Sequence, residues 1–343
     1  YKMAFCDSIK LEKGMYSVSG KGFTQVLEEL DPSENYKGTP MENLDAYERQ
    51  LKRFGIKVNG AGCDKVEKFF SAPDSAVLFP EFISRAIKKG LSACDILPSI
   101  TAAHTFIDGI DYRTISSSTE TYNENTMGGE GKLIRAVNVT TNDSLIKLKK
   151  YGRLFSSTYE ALRFQNLDIV AIIFKQIGMD LAYEQLGDAV TTLLPGTTET
   201  DATENASTLG TLTYADLLKL WAKLSPYQPN VMIANSDTVK DILSLSNMQD
   251  AQAGLAFHGT GHLVTPLGAK LIVSSKVDSQ KILGIDKNFA LQMIQSGEVT
   301  VEYDKVIEKQ LEKAAVSMTL GFSKIFSGAV KVLNYKSTTQ SGS

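Results

Sequence analysis

The chain is poor in the side chains on which chemistry usually depends. Its 343 residues include three histidines, three cysteines and one tryptophan. Cys6, Cys63 and Cys94 form no CxxC pair and are odd in number, so they read as free thiols of a reducing compartment rather than a disulfide framework. No stretch reaches about 18 consecutive apolar residues, the length that a transmembrane helix needs, so no membrane partner is expected. The opening residues Tyr1 to Asp7 also lack the long apolar run of a secretory signal. A cationic excess is missing as well. Lys and Arg total 36 against 39 Asp and Glu, a net charge of −3, which argues against a dedicated nucleic-acid binder. Non-specific contact with nucleic acid on one face remains compatible with that charge.

What is present is ordinary globular material. Apolar residues make up 43% and charged residues 22%, enough for a sizeable core. The length suits one large or two medium units, and no repeat with a period of 20–50 residues is visible.

The few candidate chemical constellations dissolve on inspection. His258 and His262 are four apart, but Gly259 and Gly261 lie between them and Pro266 follows. A loop of solvated histidines is the expectation, not a helical zinc site. His104 reads as a strand-edge residue rather than a general base. Gly20-Lys21-Gly22 and Gly128-Gly129-Glu130-Gly131 lack the strand, loop and helix order of a phosphate cradle and read as turns. No serine lies in a GxSxG elbow. Glu28-Glu29, Glu308 and Glu312 read as solvated faces. No catalytic, cofactor-binding or metal-ligating residue is therefore assigned, and neither a cofactor nor an enzymatic activity is expected. An oligomeric α/β enzyme working through carboxylates alone is the alternative.

The pattern of elements carries more. Thr39, Pro40 and Glu42 predict a capping box that opens a helix with Leu44, Tyr47 and Leu51 on one face and Gly55 at its end. A short helix is expected over 61–70, and another from Pro80 to Gly90 with Phe82, Ile83, Ala86 and Ile87 inward. From His104 the sequence alternates to Ser116, passes through a polar tip from Ser116 to Gly131, and returns from Lys132 to Lys150. That is a two-stranded ribbon about 40 Å long at ~3.3 Å per residue. Two strands without a sheet are marginal in water, so the ribbon needs another surface to lie on, and a second copy of the chain is the first choice. Ser157 to Glu160 predicts a capping box. After it Leu167, Val170, Phe174, Ile177 and Leu181 recur at spacings of 3, 4, 3 and 4. They predict a helix from about Asn166 to Val190, with Ile169, Ile172 and Ile173 widening its buried face.

A polar linker from Thr197 to Thr211 leads into a mixed segment. Helices are expected over 214–224 and 236–245, the second capped by Ser236 or Asp237. Strands are expected over 230–234, 269–274, 281–285, 290–294, 299–303, 314–326 and 329–333. In the strand over 314–326, Ala315, Ser317, Thr319 and Gly321 alternate with Val316, Met318, Leu320 and Phe322. A polar tail follows.

In this order the elements resemble the major capsid protein family of tailed bacteriophages, with its Hong Kong 97 type α+β fold. Local stretches carry the resemblance. Leu44 to Leu51 looks like the helix of the family's N-terminal arm, and Phe79 to Ile87 like the segment leading to its extended loop. Ser156 to Leu162, with Leu167 to Val170 after it, looks like the entrance to the spine helix. Leu212 to Leu218 and Asn230 to Asn235 look like the opening of the axial domain. The resemblance implies an N-terminal arm (1–70), a peripheral domain (71–103, 153–200 and 293–324) and an extended β-hairpin loop (104–152). It further implies an axial domain (201–292 and 325–336) and a tail (337–343). Function would then be an icosahedral head enclosing double-stranded DNA, with many copies in hexamers and pentamers. Portal, scaffolding and decoration proteins would be partners. The chain would be a virion component assembled in the host bacterial cytoplasm. Some members crosslink through a loop lysine, and Lys132 flanks the tip, but no asparagine partner is identifiable. Members also shed an N-terminal segment, with which a chain starting at Tyr1 is compatible. An encapsulin-type compartment, which shares this fold, is the nearest rival.

Overall fold

A computed structural model describes residues 9–18, 21–118, 138–194, 206–207, 211–246, 267–306, 308 and 311–335. The ribbon tip, Lys132, His258, His262, Cys6 and the tail lie outside them. The chain divides into two compact units. The first comprises Tyr1–Asp95, Tyr151–Ala182 and Val299–Met318, and the second Ile96–Lys150, Tyr183–Glu298 and Thr319–Ser343.

The first unit opens with helices α1 (Phe23–Leu30) and α2 (Ala46–Arg53), joined through a 3-10 turn at Ser33–Tyr36. The start of α2 corrects the predicted cap. Asp45 caps it, accepting from the Glu48 amide at 2.8 Å, while the Asp45 amide donates to Glu48 at 3.3 Å. Residues 40–43 form turns, and the Glu42 carboxylate accepts from the Gly38 amide at 3.0 Å. One buried cation ties α1 and α2 together. The Arg49 guanidinium meets Asp31 at 2.7 Å, and donates to Ser33 Oγ at 2.9 Å and to the Leu44 carbonyl at 2.7 Å. Tyr36 donates to the same Asp31 at 2.6 Å. Charges taken from water persist only when paired and hydrogen-bonded in this way.

A single 3-10 turn, Val66–Phe70, replaces the short helix expected over 61–70. Helices α3 (Pro73–Ala76) and α4 (Phe79–Ala93) follow, the second reaching three residues beyond its expected end. Its inward face is the predicted one: Phe82, Ile83, Ala86 and Ile87 are buried. Phe69, Phe79 and Phe82 form an aromatic cluster with centroids 5.4 to 6.1 Å apart. The Arg85 guanidinium on α4 reaches Asp45 at 2.7 Å and covers the Tyr47 ring at 4.3 Å, holding the N-terminal helices to the unit. Burial works against the Arg85 charge, but Asp45 and Glu81 outweigh it and raise its pKa.

Helix α5 (Tyr159–Arg163) is separate and short. Its cap is Thr158, accepting from the Ala161 amide at 3.3 Å, not the Ser157 of the predicted box. Helix α6 then runs from Leu167 to Leu193, 27 residues or about 40 Å. Residues 151–158, 299–306 and 311–318 of this unit belong to strands β4 (Lys149–Thr158), β9 (Leu291–Val306) and β10 (Leu311–Lys324), which pair in the order β9–β10–β4. The predicted alternation in β10 holds, with Val316, Met318 and Leu320 buried. The separate strands expected over 290–294 and 299–303 are one 16-residue strand, β9, containing Gly297 at φ 68°.

In the second unit β1 (Ala103–Ile107) pairs in parallel with β9, Ala103 against Gln292 through Ile107 against Ser296. The ribbon proper therefore starts later than His104. It consists of β2 (Asp111–Ser118) and β3 (Asn138–Lys147), antiparallel from Asp111↔Lys147 to Ser118↔Asn138, with a register shift between Arg113 and Ile115. The two strands form a sheet of their own.

The largest sheet has the order β5–β11–β8–β6–β7: Ala206–Ser207, Val330–Asn334, Lys281–Ile285, Val231–Ala234 and Lys270–Val273. Helices α7 (Tyr214–Leu224) and α8 (Ser236–Leu243) supply its cover, and Leu217, Leu220, Met232, Ile242, Ile282 and Leu333 form its core. The cap of α8 is Asn235, accepting from the Asp237 amide at 3.4 Å, rather than either residue predicted. Buried Asp286 fixes the β8 exit by accepting from the Gln228 amide at 3.1 Å, Asn230 Nδ2 at 2.9 Å and the Asn288 amide at 3.1 Å.

Candidate functional site

The surface of the first unit centres on α6. Its predicted inward stripe is inward: Leu167, Val170, Phe174 and Leu181 are buried, and Ile177 is half-buried. The expectation that Ile169, Ile172 and Ile173 widen that buried face is corrected. They are 48%, 66% and 46% exposed on the opposite side. The outer side of the helix therefore mixes these isoleucines with polar residues such as Lys175, Gln176 and Asp180, and exposed apolar groups gathered on one face mark an interaction surface. Leaving a β-branched side chain of this size in water forfeits ~1.5–3 kcal/mol relative to full burial.

Beside Ile172 a hollow of about 450 Å³ opens between α2, α4 and α6. Leu51, Phe82 and Ala86 line its floor, and Lys89 and Lys175 stand at its rim. Leu154 and Phe164, 63% and 59% exposed, add further apolar surface to this unit.

In the second unit the ribbon carries its own unburied apolar groups, Ile110 at 68% and Leu145 at 42% exposure. Its base is anchored. Gln292 Nε2 donates to Thr105 Oγ1 at 2.8 Å and to the Tyr112 hydroxyl at 3.3 Å, and the Leu148 amide donates to the Ile110 carbonyl at 3.0 Å. Beyond that base β2 and β3 pair only with each other among the described residues.

No reaction centre takes shape from the residues weighed in the sequence. His104 lies on edge strand β1, its Nε2 3.0 Å from Gln295 Oε1 and its ring 4.3 Å from that of Phe106. Cys63 and Cys94 are reduced, neither being joined in a disulfide. Glu28 and Glu312 are not the solvated carboxylates expected. Glu28 accepts from the Ser33 amide at 2.6 Å and the Ala46 amide at 3.2 Å. Burial opposes its charge, but these bonds and Arg49 prevail and hold its pKa below the usual range. Glu312 is 1% exposed and faces Arg163 at 3.9 Å. Among the described residues no group of three or more His, Cys, Asp or Glu could hold a metal ion. Nor is any described helix long and apolar enough to cross a membrane.

The described surface thus combines a long helix with isoleucines exposed on its outer side, a two-stranded ribbon paired only with itself and an α/β unit. The solved structures that the chain resembles include a virus-like particle and a capsid. The chain is similar to the virus-like particle from Pyrococcus furiosus, at 15% identity and TM-score 0.53 over 74% of this chain and 98% of that one. It is similar to the capsid of a native GTA particle, at 13% identity and TM-score 0.54 over 70% and 90%. It is also similar to Microbacterium phage Oxtober96, at 10% identity and TM-score 0.51 over 71% and 91%. At such identities the likeness shows the fold, which is the α+β capsid fold of Hong Kong 97 type. Among curated proteins none matches in sequence. A family described as phage capsid protein matches residues 141–314, about half the chain, and the chain belongs to that family. It is a structural protein of a virion shell.

Proposed function

We propose that the chain is the major capsid protein of a tailed bacteriophage, assembling as hexamers and pentamers into an icosahedral head around double-stranded DNA. The observation that carries this reading is the set of isoleucines on the outer side of α6. Among the described residues Ile169, Ile172 and Ile173 are left 46–66% exposed, and neighbouring copies would complete their cover. The ribbon has the same need for a neighbour. Under this reading residues 1–70 are the arm and 104–152 the extended loop. Residues 71–103, 153–200 and 293–324 form the peripheral domain, and 201–292 with 325–336 the axial domain. Portal, scaffolding and decoration proteins are its partners, and assembly takes place in the bacterial cytoplasm. The net charge of −3 suits a container that must release its DNA, because binding to phosphates scales with the cations offered.

The test is the content of native particles after nuclease treatment of their exterior. Protected double-stranded DNA of one length supports the head. A protein cargo with no nucleic acid replaces this reading with an encapsulin-type compartment.

A further inference from the structure

Strand β7 is an edge of the five-stranded sheet, and among the described residues it pairs only with β6. The Lys270 amide donates to the Asn230 carbonyl and the Ser274 amide to the Ala234 carbonyl, both at 2.9 Å. Bonds to β6 therefore fall at the even positions. Alternation turns the main-chain groups of Leu271 and Val273 to the other side, where a further strand would pair. A groove of about 500 Å³, within the range of ligand clefts, runs along that side. Every residue from Lys270 to Lys276 lines it. Both parities of the strand are included, as a groove beside an edge requires and a groove across one face does not. Ile96, with Tyr183 and Leu186 of α6, completes the lining, and Tyr183 is 52% and Val273 43% exposed. An open edge beside an apolar groove is the geometry that takes an extended peptide as an added strand.

Charge decides which kind of peptide fits. The lining contains two cations, Lys270 and Lys276, and no carboxylate among the described residues. Lys270 Nζ donates to the neutral Ser99 hydroxyl at 3.1 Å. Lys276 lays its stem against α6 at Gly187, where a Cβ would stand 3.1 Å from its Cγ and Cε. Lysines on a sheet edge guard it against unwanted strands, and the same two charges admit a strand that brings carboxylates. The other described edges of this chain do not meet that requirement. Strands β1 and β5 carry no carboxylate, β4 carries Lys149, Lys150 and Arg153, and β2 and β3 each offset one aspartate with one cation.

We propose that this groove binds an extended acidic segment of a different protein as an added strand on β7. Main-chain bonds to Leu271 and Val273 hold it, its carboxylates meet Lys270 and Lys276, and its apolar side chains lie against Ile96, Tyr183 and Leu186. The proposal goes beyond the shell reading and does not rest on it, since the whole groove belongs to one unit of a single chain.

The test follows fluorescein-labelled peptides that alternate valine with glutamate by fluorescence anisotropy as they bind the full chain. Binding is expected, and the same peptide with lysine in place of glutamate should bind about tenfold more weakly or worse. N-methylation of every second amide removes the donors on one side of the peptide strand. On one parity it should weaken binding about tenfold or more, and on the other leave it nearly unchanged. Lys270→Glu with Lys276→Glu should reverse the preference, so that the lysine peptide binds better, a result that misfolding would not give. No binding of the glutamate peptide, or binding indifferent to both methylation patterns, overturns the proposal. Val273→Cys distinguishes a second copy as the occupant. Maleimide labelling at position 273, mapped by mass spectrometry, should proceed equally in subunits and in assembled particles. Protection in particles alone would mean that a neighbouring copy holds the edge, which also overturns the proposal. None of these failures touches the shell reading.

Discussion

Gly178 on α6 faces Gly90 on α4 so closely that a Cβ on Gly178 would lie 3.0 Å from the Gly90 Cα and overlap the Ile87 carbonyl oxygen. A Cβ on Gly90 would overlap the Lys175 carbonyl oxygen in turn. The obstacles are backbone atoms, which cannot rotate aside, so the helices must part. Glycine to alanine in a helix gains up to ~1 kcal/mol in propensity, whereas overpacking costs ~1–3 kcal/mol. Gly178→Ala is expected to destabilise unassembled subunits by about 1–2 kcal/mol in urea unfolding. Gly187 on the same helix meets only the side chain of Lys276, at 3.1 Å, which can swing away. Gly187→Ala should therefore be neutral or slightly stabilising. Equal effects at the two positions would show that the close crossing of α4 and α6 is wrong.

Arg49 and Asp31 are both fully buried and 2.7 Å apart. Removing one partner strands the other charge in the core, which costs ~3–5 kcal/mol. Arg49→Ala and Asp31→Ala should each approach that loss, and the double variant should cost clearly less than their sum. Strict additivity in a double-mutant cycle would mean that the pair does not act as one unit.

Asp216 carries a pH dependence whose sign is fixed. Burial is the largest influence on it and pushes its pKa up. The Thr213 hydroxyl and amide, donating to its carboxylate at 2.7 and 3.1 Å, together with Lys219 at 3.2 Å, outweigh burial and hold it below the usual range. A carboxylate lowered by folding stabilises above its unfolded value, and that contribution is lost as pH falls through the folded value. Stability measured from pH 6 down to pH 2 should fall less steeply in Asp216→Asn than in the unsubstituted chain. The substitution should also cost ~1 kcal/mol at neutral pH through the weakened helix start. An unchanged slope would remove Asp216 from the acid response.

Ile172 separates folding from assembly. It is 66% exposed in the subunit, so Ile172→Gln should move subunit stability by no more than about 0.5 kcal/mol. Particle yield, measured by sedimentation, should drop several-fold if the shell buries this face as proposed. Deleting residues 117–130 should likewise leave soluble subunits and impair or misdirect assembly. Normal particles in both cases would mean that neither α6 nor the ribbon is an intersubunit contact.

Much of this fold was legible because periodicity reports burial. The 3, 4, 3, 4 spacing of Leu167 to Leu181 placed α6 within three residues at its far end, and strict alternation placed β10. Periodicity does not name the covering partner, however. Ile169, Ile172 and Ile173 look like a broader core until the helix stands in its unit, where the described residues leave them about half exposed or more. Period-2 alternation is likewise the same in a ribbon and in a sheet edge, so β1 was counted with the ribbon although it pairs with β9. Capping boxes suffered from competition. Thr39 with Glu42 and Asp45 with Glu48 have equal spacing; in the fold Glu42 bonds the Gly38 amide and Thr39 the Tyr36 carbonyl, while Asp45 and Glu48 form the box. The apparent break in β9 came from Gly297, whose positive φ the long strand accommodates. Glu312 was misread because its charge was weighed ahead of its position, which continues the inward side of β10 with Ala314, Val316 and Met318.

The most direct test of the central claim is electron microscopy of the full chain purified in native form. The account predicts closed icosahedral particles of megadalton mass, with density from neighbouring copies covering Ile169, Ile172 and Ile173. A discrete dimer or tetramer that leaves this face in solvent would contradict it.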